Sequence, residues 1–161
     1  LEIIAGRPPN FEQIARAFPA ARALGTIFTY GEKVYVSDGA KLPPSLIAHE
    51  CVHILQQGKE PQAWWDLYIA NARFRFEQEL EAHRKELELA RGEGNRKHRR
   101  MVLTAIAKRL SGPLYGNCVP LARAKKLLEV PDSAIHSYFA GARMGFADYV
   151  TNTRGADEPA H

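Results

Sequence analysis

The chain has only two cysteines in 161 residues, too few for a disulfide framework, so the fold must rest on packing. No apolar run approaches the ~18 residues of a membrane span, and no leader with a charged start and an apolar middle opens the sequence. Internal repeats and low-complexity blocks are missing as well. Neither charge sign dominates, since 22 Lys and Arg against 18 Asp and Glu leave a formal net charge of +4. What remains is 45% hydrophobic and 25% charged residues, the make-up of a soluble globular protein with one core. The expectation is a single domain over residues 1–161, with no membrane partner and an intracellular or particle-borne location.

Local patterns give a mostly helical α+β reading. Asn10 is placed to cap a short helix carrying Phe11, Ile14, Ala15 and Phe18, interrupted by Pro19. Residues 26–30 and 33–36 are β-prone runs around Gly31-Glu32 and read as a hairpin. Pro61 opens a helix carrying Trp64, Trp65, Tyr68 and Ile69. Asn71 marks a break before a long helical run over 72–90, which Gly92 stops. Residues 91–100 read as a polar, basic connector, followed by helical pieces over 101–110, 121–128 and 133–144. The tail from Thr151 is polar.

The element between the hairpin and Pro61 carries the chemistry. Pro43-Pro44-Ser45 suits a first helical turn and Gly58 a stop. Between them His49-Glu50-Cys51-Val52-His53 reads H-E-x-x-H. Two histidines four residues apart lie on one helical face and can meet one metal ion. Glu50, roughly 100° further round the helix, can hold a water without ligating the metal. Leu46, Ile47, Ala48, Cys51, Val52, Ile54 and Leu55 surround this polar stripe of His49, His53, Gln56 and Gln57. The pattern predicts a helix buried nearly all round, with Cys51 in the core. The bland alternative is a pair of histidines bonded to core carbonyls.

A catalytic zinc site takes three protein ligands and a water, so a third ligand is needed downstream. Phe76, Leu80, His83, Leu87 and Ala90 share a stripe at helical spacing, the face expected to turn inward. Glu79 borders it, whereas Glu77 and Glu81 fall on the opposite side with Arg84, Lys85 and Glu88. Glu79 is the ligand candidate and Glu81 the reserve. Without the histidine pair, Glu79 would read as one more solvated carboxylate.

His49-Glu50-x-x-His53 followed by Glu79-x-x-Ala82 resembles the gluzincins, zincin metallopeptidases whose third zinc ligand is a glutamate. The resemblance implies a zincin-like core over about 1–91 with an edge strand above the metal, and a helical extension over about 92–161. It implies zinc held by His49, His53 and Glu79, with Glu50 as general base in peptide hydrolysis. Such families often place Asp or Asn one turn after the glutamate; here that position is His83. Trp64-Trp65, Tyr68, the Glu79-Leu80-Glu81-Ala82 run and Pro113-Leu114-Tyr115-Gly116 are similar to small zincin-like proteins encoded by bacteriophages.

The expected partner is a peptide or protein substrate, paired with the hairpin's edge strand by backbone hydrogen bonds. Tyr68, His83, Tyr115 and His136 are chemically suited to stabilise an oxyanion. Each also reads as an ordinary core or surface residue. The competing reading is a structural or assembly protein, such as a virion component, docking to neighbouring chains or to its own copies through the C-terminal helices. Arg96-Lys97-His98-Arg99-Arg100 adds a weaker expectation of phosphate or nucleic-acid binding, against a solvated linker.

Overall fold

Six helices and one small mixed sheet make up the described part of the computed structural model, which covers residues 1–92 and 95–131. The helix expected over 133–144, His136 and the polar tail lie outside the described residues. The architecture is mostly helical α+β. The residues Leu1–Glu129 form one compact unit, and everything below concerns it. Among the described residues no helix is long and apolar enough to cross a membrane.

The expected hairpin is present as β2 (Ile27–Tyr30) and β3 (Lys33–Val36), and its turn bends at Gly31 with φ +60°. A third strand, β1 (Glu2–Ala5), pairs parallel with β3, giving the order β1-β3-β2. Four residues with one β-branched pair, Ile3-Ile4, are too short a signal to read as a strand. Helix α1 (Phe11–Ala17) packs Phe11 edge-on against Phe28 of the sheet and is followed by a 3₁₀ turn at Pro19–Arg22. Asn10 does not cap it. Its φ/ψ of −94°/19° are not the extended values a cap needs, and its buried side-chain amide has no partner.

Helices α2 (Pro44–Gln57), α3 (Pro61–Ala70) and α4 (Ala72–Arg91) follow. Gly58 ends α2 with φ +54°, and Asn71 Oδ1 caps α4 by accepting from Phe74 N at 2.9 Å. Helix α4 is the centre of the unit, packing against α2, α3, α5 (Arg96–Leu110) and α6 (Leu121–Glu129). Trp64, Phe74 and Leu80 are fully buried there, each worth roughly 1.5–3 kcal/mol relative to exposure.

That central position corrects one expectation. Glu77, assigned to a solvent face, is only 2% exposed and pairs with Arg73 at 2.9 Å, because α4 is enclosed by four helices and keeps little outer face. A second correction concerns the basic connector. Arg96–Arg100 is the start of α5, with Asn95 Oδ1 accepting from His98 N at 3.0 Å. Arg and Lys are good helix formers, and the cap ahead of them starts the helix.

Candidate metal centre

Helix α2 lies with its polar stripe inward. His49, Glu50, His53 and Gln57 are its buried residues, whereas Ile47, Cys51, Val52 and Ile54 are half-buried and Leu55 is 81% exposed. The helix is therefore not buried all round, and Cys51 is not a core residue. The polar side faces the cavity, and polar groups so enclosed need partners.

His49, His53 and Glu79 come together as a buried group whose donor atoms all lie within 4.8 Å of one another. The two Nε2 atoms are 3.0 Å apart, His53 Nε2 is 3.5 Å from Glu79 Oε1, and His49 Nε2 is 3.7 Å from Glu79 Oε2. A tetrahedral centre with metal–ligand distances of ~2.0–2.1 Å has edges of ~3.3–3.4 Å, so this triangle is of the right size. Glu81, the reserve candidate, is exposed and accepts a hydrogen bond from Gln56 at 3.1 Å.

The hydrogen-bond network assigns the tautomers. Gln56 Nε2 donates to Gln78 O and Glu81 Oε2, so its Oε1 must accept from His53 Nδ1, at 2.8 Å. Neutral His53 therefore presents a lone pair on Nε2. His49 Nδ1 has no full hydrogen bond and faces Glu86 Oε2 at 3.5 Å, which favours its proton on Nδ1 and its lone pair on Nε2. With both rings singly protonated the two Nε2 lone pairs face each other at 3.0 Å, a contact that either a shared proton or a bound metal ion satisfies. Glu79 Oε2 is likewise buried without a partner. Together these atoms fit a divalent metal ion.

Glu86 is the residue that sequence reasoning missed. Its carboxylate accepts from His83 Nδ1 at 2.9 Å, pairs with Arg109 and faces His49. The signal was present, because Glu79, His83 and Glu86 follow one another at i, i+4 and i+7 on a single helical stripe. Glu86 forms a second metal-capable group with His49 and His83, but Arg109 already neutralises it. His83 Nε2 is buried without a partner 3.8 Å from Glu79 Oε2, so it borders the group of His49, His53 and Glu79 without belonging to it.

Charge in the centre is set by enclosure. Burial and the nearby charge of His49 push His83 down to about 4, against the pull of Glu86. Burial opposes charge on His49 too, but Glu86, Glu50 and Glu79 outweigh it and raise its pKa. Burial works against ionised Glu79, yet His53, His49, His83 and the Tyr68 hydroxyl hold its pKa below the usual carboxylate value. Glu86 is held well below that range despite burial, by His49, His83 and Arg109. Burial and the Glu79 charge keep Tyr68 and Tyr115 protonated far above their ordinary range. Tyr68 Oη donates to Glu79 Oε1 at 2.6 Å, so its hydrogen bond is spent on the carboxylate. Tyr115 lines the cavity and packs edge-on against His83.

Glu50 lines the same cavity and accepts from Thr29 Oγ1 of β2 at 2.7 Å. The edge of β2 is partly taken. Gln57 accepts from Gly31 N at 2.8 Å and donates to Thr29 O at 2.9 Å, the two bonds a parallel strand would make, and Trp65 Nε1 adds a third at 3.0 Å. An extended segment laid on this strand would therefore meet side chains at its Thr29–Gly31 end. The cavity itself is about 50 Å³, room for one or two waters. Phe18 and Leu114, from two connecting segments, are among its lining residues. No family model matches the chain, and neither a curated protein nor a solved structure does.

Proposed function

We propose that the chain is a zinc-dependent metallopeptidase of zincin type, with His49, His53 and Glu79 as ligands and Glu50 as general base. The observation that carries this reading is the presence of Glu50 in the same small cavity as the three donors. It is held by Thr29 and stands outside the ligand group. A zinc ion bound there supplies Lewis acidity, acidifying a water and polarising a peptide carbonyl. Glu50 takes the proton from the water and passes it to the leaving amine. Thr29 keeps the carboxylate aimed into the cavity, and Tyr68 and Gln56 orient Glu79 and His53.

A second reading, a metal-stabilised structural or assembly domain, is favoured by the small size of the cavity, about 50 Å³. Elemental analysis of protein purified without chelator, paired with a peptide-library assay of wild type and Glu50→Gln, separates the two. The peptidase reading expects one zinc per chain in both proteins and cleavage by the wild type, lost in Glu50→Gln. Zinc without cleavage in either protein selects the structural reading. No zinc, even after its addition, defeats both.

A further inference from the structure

We propose that the outer face of α5 is a docking surface for duplex nucleic acid, held through its phosphates and not read for sequence. Helix α5 turns Ile106, Ala107 and Leu110 inward, where α4 and α6 pack on it. On its outer side Arg96, Lys97, Arg100 and Lys108 line an open groove of about 730 Å³, together with Met101, Thr104 and Ala105. None of these four cations meets a carboxylate among the described residues. Cations close by are paired: Arg91 with Glu129 at 2.6 Å, and Arg109 with Glu86. The unpaired ones gather on the outer face.

Their order fits an extended polyanion. Arg96, Arg100, Thr104 and Lys108 recur every four residues, ~6 Å of rise per step and ~18 Å in all. A duplex carries one phosphate per strand for every ~3.4 Å of its axis, so a row of this length meets a surface dense in phosphate. The first turn of α5 holds no acidic residue and begins with Arg96, Lys97, His98 and Arg99. Cations there are repelled by the positive end of the helix dipole, and a polyanion laid across them relieves that repulsion. Arg96 and Arg100 also line a second groove with Arg91, Arg99, Leu103 and Glu129, whose carboxylate is paired with Arg91, so the surplus charge round the helix stays basic.

The same observations decide against other polyanions. A helix lying on a membrane needs a free apolar face, but the apolar side of α5 is buried and only Met101, 62% exposed, stands out. Single-stranded nucleic acid is held by stacking on aromatic rings, and among the described residues no aromatic one lines either groove. Lys and Arg with one Thr are suited to backbone contact.

The test is fluorescence anisotropy of the full chain with labelled duplexes of two unrelated sequences, titrated from about 50 to about 200 mM salt. Expected are similar affinities for both duplexes and a log–log salt slope of about −3 to −4 for four phosphate contacts. The triple substitution Arg96→Gln, Arg100→Gln and Lys108→Gln should weaken binding by at least about 30-fold and flatten the slope, with unchanged circular dichroism. Removing the same charge elsewhere, by Lys33→Gln, Lys41→Gln and Lys59→Gln, should change affinity by less than about 3-fold. Absence of binding at the lower salt, equal losses from the two triple variants, or tighter binding to vesicles containing phosphatidylserine would each overturn the proposal.

Discussion

Within the centre, each donor atom is aimed by a neighbour, and the neighbours differ in what they hold. Gln56 fixes His53, Tyr68 fixes Glu79, and Glu86 faces His49 while holding His83. Outer partners of this kind set metal affinity by about 10–100-fold. Glu86→Gln, which keeps the shape but weakens the carboxylate's hold on both histidines, should lower zinc affinity by about that factor while the chain stays folded. Glu79→Ala should cost more than that ~10–100-fold because a donor itself is lost. Glu81→Ala should change stability by less than about 0.5 kcal/mol and leave affinity nearly intact, since Gln56 keeps its bond to Gln78 O. Competition against a chromophoric chelator measures all three, and equal losses for Glu79→Ala and Glu81→Ala would sink the ligand assignment. The meeting of His49, His53 and Glu79 was legible because helical spacing alone places them on facing stripes. Glu86 shares the stripe of Glu79 and His83, but its place beside His49 depends on the angle between α2 and α4, which spacing within one helix does not give.

Elements were legible in type, and less so in which side they turn inward. A helix with apolar residues on most of its circumference reads as buried all round, yet α2 gives its buried side to His49, Glu50, His53 and Gln57. The period of a stripe is a property of the sequence, whereas its direction depends on which neighbour can satisfy it. Here α4 and β2 offer the partners. The charge-rich start of α5 misled in the same way, because composition suggested a connector while the signal lay in one residue, Asn95. The orientation of α2 makes opposite predictions for adjacent turns. Gln57→Ala removes a buried amide that bonds Gly31 N and Thr29 O and should destabilise by about 1–3 kcal/mol. Leu55→Ala, on the exposed apolar side, should stay within about 0.5 kcal/mol of wild type. Urea denaturation read by tryptophan fluorescence compares them; a larger loss for Leu55→Ala would mean that its side of α2 is covered in solution.

At the scale of the molecule, the centre is lined by segments far apart in sequence. Phe18, just after α1, and Leu114 and Tyr115, in a 3₁₀ turn at Pro113–Tyr115, line the cavity. One buried side chain of α4 ties them together. Arg75 donates Nε to Tyr115 O at 3.0 Å and one terminal nitrogen to Tyr68 O at 2.6 Å and Ile69 O at 3.2 Å, with its guanidinium 4.7 Å from the centre of the Phe18 ring. The carbonyls of Tyr68 and Ile69 belong to the last turn of α3, where a cation is favoured by the helix dipole. Gly116, with φ +82°, turns the chain beside Arg75, and a Cβ there would lie only 3.0 Å from the guanidinium. Arg75→Met keeps an unbranched side chain but leaves the carbonyl of Tyr115 without this donor, so the 3₁₀ turn loses its anchor to α4. Hydrogen exchange reads the result directly, because the amides of Gly116 and Asn117 are bonded within that turn, to Pro113 O and Gly112 O. In Arg75→Met these two amides should exchange at least about 10-fold faster relative to wild type than the amide of Leu80, deep in α4, whose change reports the loss of global stability. If Gly116, Asn117 and Leu80 all speed up by one common factor, Arg75 supports the core as a whole and does not specifically anchor the 3₁₀ turn.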